Sequence, residues 1–229
     1  MLFRSAAHEI PVKISDSEEY IRNVQKAIEN YLEGSGIAKK CIVGTGVSIP
    51  GLLNPESGES YTHFPSLSKP LPVLLSNLTG LPVMTDNDAR LVALGESAFG
   101  SAKGKRNALC RLADEGVGLG IILNGQVYAG SHGFAGEFGH TRFTGGNTDK
   151  CYCGGEGCLE TLTSLGALER LAKADPPNGK SASGPLQAEF LLKQAAEGDA
   201  FAVSLVEHLG QTLGSSLASA IHLFDPGCI

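Results

Sequence analysis

Between Ser17 and Gly34, apolar residues fall at positions 20, 21, 24, 27, 28, 31 and 32. Steps of three and four mark one face of an α-helix and predict a helix over 18–32. Ser17 stands at the N-cap position, Glu18 and Glu19 fill the first turn, and Gly34 lies just past the end. A mainly apolar stretch over 41–49 predicts a buried strand that stops at Pro50-Gly51. A short helix over 72–78 tolerates proline in its first turn. A strand over 81–85 stops at Asp86-Asn87-Asp88, and a helix over 89–99 follows. Strand and helix alternate, as in an α/β domain.

The pattern changes after the small, polar stretch Gly100-Ser101-Ala102-Lys103-Gly104-Lys105. Strands are predicted over 107–112 and 117–123, with Ala113-Asp114-Glu115-Gly116 as the turn between them. Asn124-Gly125 is a strong two-residue hairpin signal and leads into a third strand at Gln126. This reads as an antiparallel meander. Helices are predicted over 164–172, 186–196 and 200–223, with a proline-containing loop over 173–185. The expected domains are therefore 1–103 and 104–229, both α/β.

Composition narrows the choice of partner. At about 150 residues per domain, 229 residues make one large or two small domains. With 42% hydrophobic and 18% charged residues, a wholly disordered chain is excluded. A net charge of −6 argues against a dominant phosphate-backbone surface, since such surfaces are basic. The apolar runs are too short for a membrane span, and Met1-Leu2-Phe3-Arg4-Ser5 lacks the apolar stretch of a secretory signal. A cytoplasmic protein without a membrane partner is expected.

Of six cysteines, Cys151, Cys153 and Cys158 lie together, while Cys41, Cys110 and Cys228 stand alone and read as buried small hydrophobes. The triplet, preceded by His140, is a Cys₃His set for structural Zn²⁺; four protein ligands leave no open position for catalysis. The glycines of Cys153-Gly154-Gly155-Glu156-Gly157-Cys158 let the backbone turn tightly around a small ion. The bland reading is three free thiols in a loop, an oxidation liability.

Three further groups have two readings each. Glu137, within Gly133-Phe134-Ala135-Gly136-Glu137-Phe138-Gly139-His140, is either a solvated turn acid or a fixed acceptor for polyol hydroxyls. Asp86-Asn87-Asp88 is either a helix cap or a ligand site at the carboxyl end of a strand, where open α/β sheets bind ligands. The alternating glycines of Gly116-Val117-Gly118-Leu119-Gly120 are either a bare hairpin or a place of close approach to a phosphate or another strand.

Taken in order, these motifs resemble the ROK family of repressors, open reading frames and sugar kinases. The matching residues are Ile49-Pro50-Gly51, Asn87-Asp88-Ala89, Leu94-Gly95-Glu96, Gly116-Val117-Gly118, the stretch from Gly133 to His140, and Cys151-x-Cys153-Gly154-x-x-Gly157-Cys158-Leu159-Glu160. The likeness covers nearly the whole chain. It implies a two-domain actin-like ATPase (ribonuclease H-like) fold with a sugar in the cleft between the domains. By the same resemblance Asn87, Asp88, Glu137, His140 and Glu160 would bind sugar hydroxyls. Asp88 would be the general base of a kinase, and Gly116 and Gly118 a phosphate-binding turn. His140 would serve zinc with one ring edge and sugar with the other.

There are departures too. The family's kinases open with an Asp-x-Gly-x-Thr phosphate hairpin, which is not found before the first helix, and they continue past the position of Ile229. The chain therefore reads as truncated at both ends. Arg90 stands where those kinases often carry Asn. Two functions follow from the resemblance. One is the effector domain of a sugar-responsive transcriptional regulator of the N-acetylglucosamine- or xylose-repressor type. The other is a glucokinase-like kinase using ATP and Mg²⁺ on a hexose or N-acetylhexosamine. A hexose, amino sugar or sugar phosphate is the expected ligand in either case. DNA would be contacted only through a helix-turn-helix not found in this chain, and a homo-oligomer is expected.

Overall fold

Ser17 opens α1 (Glu18–Ser35): its side chain accepts from the Tyr20 amide at 3.1 Å. The helix runs through Gly34 and ends at Gly36, whose φ of 66° suits a residue without a Cβ. A computed structural model describes residues 14–113, 116–143, 149–174 and 187–229, and these form two compact units. The first is Met1–Asp88 with Gly130–Phe134; the second is Ala89–Ala129 with Ala135–Ile229.

In the first unit β1 (Thr45–Ile49) pairs parallel with β2 (Val83–Asn87), with Ile49 opposite Asn87. Between them lies α2 (Leu71–Thr79), with proline in its first turn. Ile21 of α1, Ile49, Leu53, Phe64, Leu71 and Leu75 make its core, and Tyr20 stacks on Phe64 with centroids 5.8 Å apart. The strand expected from residue 41 begins only at Thr45. Lys39–Cys41 form a 3₁₀ turn closed by the Cys41 and Ile42 amides. Cys41 is consequently exposed, against expectation, whereas Cys110 is buried and Cys228 half-buried.

The second unit opens with the body of α3 (Asp88–Phe99). The polar stretch from Gly100 to Lys105 lies within this unit. Its sheet is the expected meander: β3 (Ala108–Ala113), β4 (Val117–Leu123) and β5 (Gln126–Val127), all antiparallel. Asn124 (φ 53°) and Gly125 (φ 80°) make the primed turn. The glycines of β4 serve helix packing. A Cβ on Gly118 would lie 2.7 Å from Ala89 Cβ, and one on Gly120 would meet the Ala89 carbonyl and lie 2.5 Å from Ala93 Cβ. α3 thus lies directly on the strand.

Beyond the meander come α4 (Glu160–Thr163), α5 (Leu165–Ala174), α6 (Ala188–Ala196) and α7 (Ala200–Phe224). Leu168, Ala172, Ala188, Leu191 and Leu205 form one core among them, and Ala220 of α7 joins Leu109, Leu119 and Ile121 of the sheet in another. Asp199 caps α7 by accepting from the Ala202 amide at 2.8 Å. The short α4 was not anticipated. The turn residues Asp114 and Glu115, and most of the loop expected over 173–185, lie outside the described residues. Among the described residues, no helix is long and apolar enough to cross a membrane.

Candidate functional site

β4 holds the segment that carries Glu137 and His140. The Leu119 amide donates to the Gly136 carbonyl at 3.0 Å. A Cβ on Gly136 (φ 91°) would strike the Leu119 carbonyl, and one on Gly139 would strike the Val117 carbonyl. Only glycines let this backbone lie so close to the strand. Phe138–His140 then form a 3₁₀ turn, with the His140 amide on the Glu137 carbonyl.

The cysteine loop folds on itself. The Cys151 amide donates to Gly155 O at 2.8 Å, the Gly154 amide to Cys151 O at 3.0 Å, and Gly154 (φ 85°) and Gly157 (φ 69°) make its sharp bends. Arg170 of α5 anchors the base of the loop: its guanidinium binds the Asp149 carboxylate at 2.8 Å and donates to the Thr161 carbonyl. The Leu159 amide donates to Thr141 O at 2.9 Å, so the loop's end is tied to the segment just after His140.

One donor atom from each of His140, Cys151, Cys153 and Cys158 falls within 4.8 Å of the others. Cys151 Sγ is 3.5 Å from His140 Nδ1, and Cys153 Sγ is 3.7 Å from Cys158 Sγ. Burial pushes the Cys151 thiol up to about 12, and burial also raises Cys158. The Gly155 amide, donating to Cys153 Sγ at 3.4 Å, lowers that thiol instead.

The other edge of the His140 ring faces oxygen. Nε2 is 3.1 Å from the Tyr152 phenol and 3.8 Å from Glu137 Oε2. Glu160, at the start of α4, is buried; its Oε2 accepts from the Val117 amide at 3.2 Å, and its Oε1 faces Cys151 Sγ at 3.8 Å. A Cβ on Gly116 would lie 3.0 Å from the same Glu160 oxygen. Glu137, His140, Glu160, Gly116 and the three cysteines therefore gather in the second unit, while Gly118 serves the contact with α3.

Asn87 and Asp88 stand in the first unit, at the end of β2. Asn87 is buried and donates from Nδ2 to the Gly51 carbonyl at 3.1 Å, which ties the Pro50-Gly51 turn to the strand end. Asp88 is half-buried, and His63 lies close enough to feel its charge. Burial lowers His63 below the ordinary histidine value, with Asp88 opposing that shift.

Two side chains of this region carried no motif in the sequence, and the burial of a third, Arg90, was not legible there. Tyr152 was signalled only by its place between two of the clustered cysteines. His63 lies 25 residues before Asp88 and had no signal. Arg90, at 2% exposure, is among the most deeply buried large side chains, which a charged residue in a sequence does not announce.

The model of the ROK family matches residues 7–229 of this chain. Among curated relatives, a glucokinase of Halalkalibacterium halodurans is 34% identical over 230 residues, covering 95% of this chain and 69% of its own length. A putative xylose repressor of Caldicellulosiruptor sp. is 29% identical, covering 95% of this chain, which spans only 57% of the repressor. Among solved structures, a ROK family glucokinase from Streptomyces griseus in complex with glucose and AMPPNP superposes with a TM-score of 0.79 at 29% identity, covering 94% of this chain and 72% of its own.

Proposed function

The chain belongs to the ROK family, and from that premise we propose that it is the sugar-binding core of a sugar-responsive transcriptional regulator. Its fold is that of the family's sugar kinases, the actin-like, ribonuclease H-like α/β architecture. Relatives of both kinds, glucokinase and repressor, align with nearly the whole chain. The observation that carries the sugar reading is the double-sided His140 ring, with Nδ1 at the cysteines and Nε2 facing Glu137 and a phenol oxygen.

Zinc is the metal proposed for His140, Cys151, Cys153 and Cys158. The donor chemistry fits: with Zn–S of about 2.3 Å and Zn–N of about 2.0 Å, a tetrahedron has S–S edges of about 3.8 Å and S–N edges of about 3.5 Å. The 3.7 Å and 3.5 Å separations support that fit. Bound there, the ion would lock the loop and fix the histidine tautomer. With Nδ1 taken, Nε2 carries the proton and donates. Glu137 and Glu160 accept from sugar hydroxyls, a role that the family resemblance also gives to Asn87 and Asp88. Donor and acceptors held by the backbone in this way suit a polyol, whose hydroxyls both give and take hydrogen bonds. Reduced cysteines of this kind belong in the cytoplasm.

Arg90 favours the regulator: this buried cation stands where the family's kinases often carry Asn. DNA contact in such a regulator belongs to a separate helix-turn-helix module. The second reading, an ATP-dependent sugar kinase, is supported by Asp88, a half-buried carboxylate at the carboxyl end of β2 and suited to act as general base. Gly116 and Gly118 would then approach a nucleotide phosphate, with Mg²⁺. Calorimetric titration with glucose and N-acetylglucosamine tests the shared claim. A buried hydroxyl that loses its acceptor costs about 1–3 kcal/mol, so Asp88→Ala or Glu137→Ala should weaken binding about 5- to 150-fold. Unchanged titrations in both variants would refute the site. Asp88-dependent sugar phosphate formation with ATP and Mg²⁺ would make the kinase the better reading.

A further inference from the structure

Tyr152 is the one aromatic residue between Asp149 and Glu160, and nothing in the loop's backbone calls for one. The turn is closed by main-chain hydrogen bonds of Cys151, Gly154 and Gly155. At 67% exposure the residue is largely in solvent. Yet its phenol turns inward: the oxygen lies 3.1 Å from His140 Nε2, and the two rings meet edge to face with centroids 5.2 Å apart. Glu160 and Glu137 are its charged neighbours.

The phenol oxygen therefore meets one of the side chains assigned above to sugar hydroxyls, His140, and lies within the electrostatic reach of the other two, Glu137 and Glu160. A phenol has the hydrogen-bonding repertoire of such a hydroxyl, with one donor and lone pairs to accept. With His140 Nδ1 committed to the cysteine side, Nε2–H donates to the phenol oxygen. A sugar hydroxyl at that position would accept the same bond from Nε2.

We propose that Tyr152 is a built-in stand-in for a sugar hydroxyl: it satisfies His140 Nε2 in the sugar-free protein and is displaced when sugar binds. This rests on the sugar-binding reading of the site. Displacement needs only a side-chain rotation. The ring is already mostly in water, and a Cβ on Gly154, two residues along the chain, would meet nothing within 4 Å. Tyr152 thereby sets affinity, because the site is competent only in the fraction of molecules whose phenol has swung away. It also filters ligands, since a sugar without a hydroxyl for His140 Nε2 cannot replace what it expels.

The test is titration calorimetry of glucose and N-acetylglucosamine into the chain and its Tyr152→Phe variant, with zinc content measured in both. Phenylalanine keeps the ring and removes only the competing hydrogen bond, so affinity should rise by about 2- to 12-fold. A second readout is the tyrosine ultraviolet difference spectrum on sugar addition. The chain has 5 tyrosines and no tryptophan, so a phenol leaving an imidazole for water is visible, and the change should be absent in the variant. Equal affinity in the two proteins overturns the proposal. Weaker binding by the variant overturns it too, by making the phenol a sugar contact. Absence of binding by either protein removes the sugar reading itself, a result distinct from binding that ignores the substitution.

Discussion

One added methyl group at Gly120 tests how α3 is held. A Cβ there would meet the Ala89 carbonyl and lie 2.5 Å from Ala93 Cβ. Carbon atoms rest at about 3.5–4.0 Å, so α3 must retreat by about 1 Å or more. Neither obstacle can swing aside: one is backbone and the other a methyl fixed to the helix. Overpacking of this kind costs about 1–3 kcal/mol. The matched control is Gly210→Ala, in the middle of α7, where a Cβ meets nothing within 4 Å. There the same change should stabilise by about 0.5–1 kcal/mol, since alanine gives up less backbone entropy in a helix. Urea unfolding followed by circular dichroism reads both. For a slope of about 2 kcal/mol/M, the midpoint falls by about 0.5–1.5 M for Gly120→Ala and rises slightly for Gly210→Ala. Because α3 begins with Asp88, Gly120→Ala should also weaken hexose binding. Wild-type stability for Gly120→Ala, or equal shifts in the two variants, would refute the packing argument.

Two other outcomes follow from the site. Purified protein should contain about one zinc per chain, and Cys153→Ser should lose it and lower the stability of the second unit, since ligand binding energy is folding energy. Metal analysis finding no zinc, with three thiols open to a thiol reagent, would refute the ligand set. His63, lowered by burial, binds its proton more weakly folded than unfolded. Its contribution to stability is therefore complete above the ordinary histidine pKa and is lost as pH falls below it. His63→Gln should flatten unfolding midpoints measured between about pH 5 and 7; an unaltered slope would show that His63 titrates normally.

What was legible in the sequence was local. Ser17 and the 3–4 spacing after it set α1, and Asn124-Gly125 set the hairpin, because a cap and a primed turn depend on residues a few positions apart. The Cys₃His group was legible because its three cysteines cluster along the chain in one small loop and its histidine stands only 11 residues before the first of them. Other features depend on distant partners. The Cys41-Ile42-Val43 run looks like a buried strand, but the 3₁₀ turn at Lys39–Cys41 takes up its start, and Val43 is 94% exposed. The glycines of β4 were legible as places of close approach, but only the structure shows that α3 is what approaches at Gly118 and Gly120. α4 is 4 residues long, too short for any periodicity to show. Tyr152 meets His140, and His63 feels the charge of Asp88, only in the fold, and no pattern in their own segments carries that information.

In the proposed site one ring, His140, serves the cysteine cluster with one nitrogen and sugar with the other. The direct measurement is hexose titration into zinc-loaded protein, zinc-stripped protein and stripped protein given zinc again, with folding followed by circular dichroism. Freed from the ion, the ring loses its fixed tautomer and its aim, and a hydroxyl contact worth about 1–3 kcal/mol goes with it. Affinity should fall about 5- to 150-fold on stripping and return with zinc. Sugar binding that is the same with and without zinc would contradict the claim that the metal loop orients the sugar-binding histidine.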